Sequence, residues 1–138
     1  MWALDPDNSP DLISRLRPHS RNGDFEFADV GEGWRPLVEE CHARIVAVFP
    51  DYELLDVKQK HGVLAYQAFP RRWVKGEDGW TAEESRVLGS ITSDIQKRSE
   101  HICESCGVTA GQLREWRRLE RTLCDACDER FPEEPVFT

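Results

Sequence analysis

The sequence predicts an α+β domain that is closed at its C-terminal end by a four-cysteine metal module. Three observations carry that expectation. Apolar residues recur with helical period around residues 34–49 and again around 81–102, and between them aliphatic and polar residues alternate on either side of "KHG". The stretch "CESCGVTAGQLREWRRLERTLCDAC" then holds four of the chain's five cysteines as two C-x2-C pairs separated by seventeen residues. The resulting order is helix, β-hairpin, helix, cysteine cluster. It divides into a lead-in (1–30), an α-β-β-α core (31–102), the cysteine module (103–131) and a tail (132–138).

The lead-in reads as irregular, with one short helix. Ser9 is placed to cap it, Pro10 suits the first helical position, and Leu12, Ile13 and Leu16 share a face before Pro18 stops it. "GDFEFADVGEG" places Phe25 and Phe27 in alternation and breaks at glycines, which suits an edge strand or an ordered loop. From Trp34 the pattern sharpens. Pro36 opens a helix whose stripe is Leu37, Val38, Cys41, Ile45, Val48 and Phe49, ending before Pro50.

In "YELLDVKQ" the pairing of Leu55 and Val57 against Asp56 and Lys58 predicts a strand with one covered face. Gly62 supplies the turn into "GVLAYQAF", and His61 is an exposed turn residue. The charged loop "PRRWVKGEDGW" leads to "TAEE", a capping box in which Thr81 and Glu84 satisfy each other's backbone N–H. The helix that follows aligns Leu88, Ile91, Ile95 and Ile102 and runs to Cys103.

The chain has 138 residues, 39% of them apolar and 32% charged, so one domain with a modest core is expected. Eighteen Lys and Arg face 26 Asp and Glu, a formal charge of −8. Such a balance opposes wrapping a nucleic-acid backbone and suits a basic protein partner or simple solubility. No apolar run approaches a membrane span, and "MWALDPDNSP" lacks the pattern of a signal peptide. The expectation is a cytoplasmic protein, and a reducing compartment directs paired cysteines to metal or catalysis instead of structural disulfides.

Two residues between thiols let the chain fold back so that both sulfurs face one ion, and the second pair completes a tetrahedron. Cys103, Cys106, Cys124 and Cys127 are therefore the expected ligands of one structural Zn2+. Gly107 supports the tight knuckle through its tolerance of positive φ. "DERF" after Cys127 suits one helical turn, which places the fourth thiolate at a helix start. Iron on the same sulfurs and redox thiols are the competing readings. A redox pair would normally occur once, beside a βαβ unit, and no such unit is visible. Four thiolates also leave no open position for water or substrate, the mark of a structural site.

Three resemblances follow from these residues. "CESCGVT…LREWRR…LCDAC" resembles GATA-type zinc fingers, which implies zinc binding. In that family the residues after the last pair grip DNA, whereas here they include Asp125, Asp128, Glu129, Glu133 and Glu134 with only Arg130 opposing. The same spacing resembles bacterial proteins that enter the RNA polymerase secondary channel, over the finger alone. The widest likeness covers roughly residues 31 to 127. "GEGWRPLVEEC", "LLDVKQKHGVLAY" and "CESCGVTAGQLREW…RTLCDAC" resemble a family of small uncharacterised bacterial and phage-associated zinc-knuckle proteins. Its members combine such a helix, hairpin and knuckle pair. In many of them the last ligand is His, where this chain has Cys127. That resemblance implies the architecture and no reaction.

Remaining candidates are few. Cys41 beside His42 invites a nucleophile-and-base reading, but neighbouring helical residues point about 100° apart and Cys41 lies on the apolar stripe. His101 fits a helix end better than a metal shell. No phosphate-loop, nucleophile-elbow or metalloprotease motif occurs, so no small-molecule substrate is indicated and an enzyme is not expected. Two basic clusters containing tryptophan stand out: Arg71, Arg72, Trp73 and Lys75, and Arg114, Trp116, Arg117, Arg118 and Arg121. Arginine interleaved with tryptophan serves protein hot spots and nucleic-acid platforms alike, and equally a solvated loop whose Trp plugs a small core. The function expected is a non-enzymatic module that binds a protein, as inhibitor, immunity-type factor or regulator. A DNA-binding regulator using the arginine loop is the alternative, and a small enzyme a distant third.

Overall fold

The computed structural model describes residues 2–131, so the expected tail at 132–138 lies outside the described residues. Its elements are α1 (Pro10–Leu16), α2 (Arg35–Val48), β1 (Glu53–Lys60), β2 (Val63–Phe69), α3 (Ala82–Ser99), β3 (Gln112–Arg114), β4 (Arg121–Leu123) and α4 (Asp125–Arg130). The architecture is α+β, with two separate antiparallel hairpins, β1–β2 and β3–β4. Among the described residues no helix is long and apolar enough to cross a membrane.

The two main helices form where the periodicity placed them. On α2, Leu37, Val38, Cys41 and Ile45 are buried, while Val48, the last helical residue, is 52% exposed. On α3 the capping box is present: Thr81 Oγ1 accepts the Glu84 N–H at 3.0 Å and Glu84 Oε1 accepts the Thr81 N–H at 2.9 Å. Leu88, Ile91 and Ile95 face the core, but α3 ends at Ser99, four residues short of Cys103. The Ser99 hydroxyl is spent on the fold, accepting the Leu64 N–H of β2 at 2.9 Å. Across the outer seam of α2 and α3, Arg44 and Arg98 pair with Glu40 and Asp94.

The β1–β2 hairpin turns at His61 and Gly62, with φ of 53° and 80°. Two positive-φ residues in a two-residue loop match the right-handed strand twist, and Gly62 takes the conformation without a Cβ penalty. The expected pairing of Leu55 with Val57 on one face is corrected. A bulge between Leu54 and Asp56 inserts one residue into β1, so Leu54 and Val57 point inward and Leu55 is 59% exposed.

The lead-in is part of the core and not an appendage to it. Leu4, Leu12, Ile13, Leu16, Ala28 and Val30 are buried in the same cluster as Trp34, Ile45, Leu54 and Ile95. Ser9 precedes α1 but does not cap it, because its hydroxyl donates to Asn8 and accepts from Arg35. Of the phenylalanine pair, Phe25 is buried and Phe27 half exposed on an ordered loop. Asp29 in that loop pairs with β1, donating to the Val57 carbonyl and accepting from the Gln59 N–H, and so covers the outer edge of β1.

Candidate metal centre

Beyond α3 the chain folds into a knuckle, the short β3–β4 hairpin, and α4, a treble-clef-like order. The knuckle closes through the Gly107 N–H to the Cys103 carbonyl and the Cys103 N–H to the Val108 carbonyl, both 2.9 Å. Gly107 adopts φ 84°, the left-handed conformation expected of it. The hairpin returns the chain so that Cys124 meets the knuckle. The last helix begins earlier than the sequence suggests: Cys124 takes extended backbone angles as the residue before α4, and Cys127 lies inside its first turn.

The four Sγ atoms all lie within 4.8 Å of one another, with Cys106 and Cys124 Sγ 3.8 Å apart. A tetrahedron with metal–sulfur bonds of about 2.3 Å has edges of about 3.8 Å. A disulfide needs sulfurs about 2.05 Å apart, and all four cysteines are free. Cys103, Cys124 and Cys127 are buried, with Leu123, Trp2 and Phe131 packed around them, while Cys106 faces solvent. Burial pushes the Cys103 thiol up, yet the N–H groups of Cys106, Cys124 and Ser105 outweigh it and hold the thiol at about 7. Burial pushes Cys127 up to about 12. Gathering four thiolates here needs a cation among them, and the donor set fits a four-coordinate metal with no position left open. No other group of three or more potential ligands occurs among the described residues.

The module is fastened to the core by residues the cysteine spacing did not reveal. Glu104, inside the knuckle, is fully buried. Its carboxylate accepts the Gly31 N–H at 3.0 Å and an Arg121 bond at 3.1 Å, and its carbonyl accepts the Gly33 N–H at 2.8 Å. A Cβ at Gly33 would overlap the Cys103 carbonyl and the Gly107 amide, so the "GEGW" stretch is the cradle of the knuckle. Trp34 Nε1 donates to the Ile102 carbonyl at 2.8 Å, and Thr122 Oγ1 to the Gly62 carbonyl at 2.6 Å. The signal for this in the sequence was the two glycines flanking an acid before a tryptophan, which by themselves name no partner.

In the cluster at 114–121 three of the four arginines are turned inward. Arg114 donates to the Leu123 carbonyl and pairs with Asp125 at 2.7 Å. Arg117 is buried, bound to Asp128 at 2.9 Å and to the carbonyls of Asp128 and Phe131. Arg121 lies 3.9 Å over the Trp2 ring. Trp116 is 56% exposed, with its Nε1 directed at Asp128, and Arg118 is exposed. In the other cluster Arg71 meets Glu84 at 3.5 Å, Arg72 meets Glu53 at 3.3 Å, and Trp73 is 48% exposed.

Cys41 is completely buried and its thiol is pushed up to about 12 by burial. The neighbouring His42 turns away, its Nδ1 2.8 Å from the Tyr52 hydroxyl, which in turn sits 2.6 Å from the Tyr66 hydroxyl. No hydrogen bond joins Cys41 to His42, so that pair has no nucleophile geometry. Comparisons with protein-family models, curated proteins and solved structures find no match to the chain.

Proposed function

We propose that the chain is a zinc-stabilised protein-interaction module without catalytic activity of its own, acting as an inhibitor, immunity-type factor or regulator of another protein. The observation that carries the reading is the closed set of four thiols at tetrahedral spacing, which uses every ligand position for structure. The charge of −8 supports a protein partner over a polyanion. So does the internal engagement of Arg114, Arg117 and Arg121 by Asp125, Asp128 and Glu104. Two exposed apolar groups, Trp73 with Val74 and Trp116 with Leu113 and Leu119, supply contact surface of the kind interfaces use.

The test has two parts. Metal analysis of protein purified without added metal should give one equivalent of zinc per chain, and iron in its place would overturn the zinc assignment. Fluorescence anisotropy of the metal-loaded protein on mixed-sequence duplex DNA should show no binding at low salt. Binding near about 1 μM with a steep salt dependence would replace the protein-partner reading with the DNA-binding one.

A further inference from the structure

We infer that the metal centre is also a redox switch, in which Cys106 is the thiol modified by a neutral hydroperoxide and Cys124 the thiol that closes a disulfide with it and empties the site. The inference rests on the zinc reading of the four cysteines and adds to it a modification site and a route of release.

The five thiols differ in access. Cys41 lies in the core, Cys103, Cys124 and Cys127 are buried in the module, and Cys106 alone of the five is exposed. Oxidation of a cysteine follows thiolate character and exposure together. Metal ligation requires the deprotonated thiol. Cys106 therefore has both properties, the other three ligands only the first, and Cys41 neither.

The surroundings of Cys106 select the oxidant. Residues 105–110, "SCGVTA", carry no charged side chain, and Val108, Thr109 and Ala110 are exposed beside it. No fixed cation draws an anionic oxidant to this strip, and the charge of −8 on the chain repels one. A small uncharged hydroperoxide meets neither obstacle.

The second thiol follows from position. Cys106 and Cys124 Sγ are 3.8 Å apart, so a disulfide requires them to close by about 1.8 Å. Cys106 precedes Gly107, at φ 84°, and Cys124 takes extended angles before α4, so both stand at bends of the chain. Cys127 is instead fixed inside α4, and the N–H and carbonyl of Cys103 are both bonded within the knuckle. In the reaction Cys106 Sγ attacks one peroxide oxygen, the O–O bond breaks, and Cys106 becomes a sulfenic acid as the alcohol leaves. Cys124 Sγ then attacks the sulfenic sulfur and expels hydroxide. Two thiolates, one hydroperoxide and two protons become one disulfide, one alcohol and one water. The thiolates lose two electrons and the peroxide bond takes them up.

Cys103 and Cys127 are left as thiols, and a closed four-coordinate site is not maintained by two ligands. The fold around the new bond has fastenings of its own. The Glu104 N–H donates to the Thr122 carbonyl at 2.8 Å, Arg121 pairs with the Glu104 carboxylate, and Thr122 Oγ1 donates to the Gly62 carbonyl. These bonds lie two residues before each new disulfide partner and hold the same two chain segments side by side. Release is therefore reversible on reduction.

The test uses the full chain loaded with one equivalent of zinc and hydrogen peroxide as the oxidant. Zinc release is followed with a chromogenic chelator, and the cysteines are mapped by mass spectrometry without reduction. Peroxide should speed release at least tenfold over buffer and leave an intramolecular Cys106–Cys124 disulfide with Cys41 unmodified. Brief alkylation of the loaded chain before peroxide should label Cys106 at least tenfold more than any other cysteine. Thiol reductant followed by zinc should restore the full equivalent. Even labelling of the ligands would overturn the access argument. A bond from Cys106 to Cys103, to Cys127 or to a second chain would overturn the pairing. Peroxide-insensitive release, or failure to take zinc up again after reduction, would overturn the switch. Failure of the zinc reading is seen separately and earlier, as iron or no metal in the purified chain.

Discussion

Glu104 and His42 show how two buried polar side chains are held in opposite ways. Glu104 stays in a low-dielectric site because Arg121 and the Gly31 N–H answer its carboxylate, although burial still pushes its carboxyl up. His42 has no carboxylate. Burial, with the charges of His19 and Arg15 adding to it, lowers its imidazole to about 4, so it is folded in as the neutral ring bonded to Tyr52. The unfolded chain binds a proton at this residue near pH 6.5, so the folded state binds fewer protons between about pH 6.5 and 4. Stability from this residue is present above that window and is lost as pH falls through it, up to about 3 kcal/mol. Urea unfolding of His42→Asn across pH 4 to 7.5 should show a flatter profile than the wild type. Parallel profiles would mean that His42 is not folded in as the neutral ring. Neither Glu104 nor His42 could be assigned from sequence, because the partners of Glu104 lie 17 and 73 residues away and that of His42 lies 10 residues away, beyond the end of its helix.

At the scale of elements, α3 does most of the organising. Its start is set locally, by a capping box whose partners are three residues apart. Thr81→Ala should lower stability by about 1 kcal/mol with the metal retained, read from denaturant midpoints. A larger loss accompanied by metal release would mean that the start of α3 also positions the cysteine module. Its end is set by tertiary contact, since Ser99 reaches β2 and the chain must then bend to bring Cys103 beneath Trp34. The helix stripes and the capping box were legible because their period and spacing are local. The bulge at Leu55 was not, because a strand shows an extra residue only against its partner, and "ELLDV" fits two registers equally well. The cover that α3 gives β2 through Ser99 was hidden for the same reason: an edge exists only once the neighbours of a strand are known.

For the whole molecule, the module and the core are joined through hydrogen bonds at Gly31, Gly33, Trp34, Gly62 and Glu104. Among the described residues, the apolar ones buried with the cysteines amount to Leu123, with Trp2 and Phe131 partly buried against the cluster. So small a cluster does not by itself offset the entropy of ordering the module, and the zinc proposed here would contribute on the order of 10 kcal/mol. Cys106→Ser should therefore lose the metal and make residues 103–131 protease-sensitive first, with Trp34 fluorescence shifting as its Ile102 contact is released. Retention of one metal equivalent with native protease resistance would show that three thiols suffice.

By itself the sequence determined the order helix, hairpin, helix, cysteine cluster and the four candidate ligands, because each rests on residues within a few positions of one another. It also held the arginine and tryptophan clusters, but not their direction. Tertiary structure alone turned Arg114, Arg117 and Arg121 onto the module's own carboxylates, built the lead-in into the core, cradled the knuckle on Gly33, and set Ser99 of α3 against β2. Those outcomes depend on which surfaces meet across 11 to 73 residues of chain, and a local pattern carries no record of its distant partner.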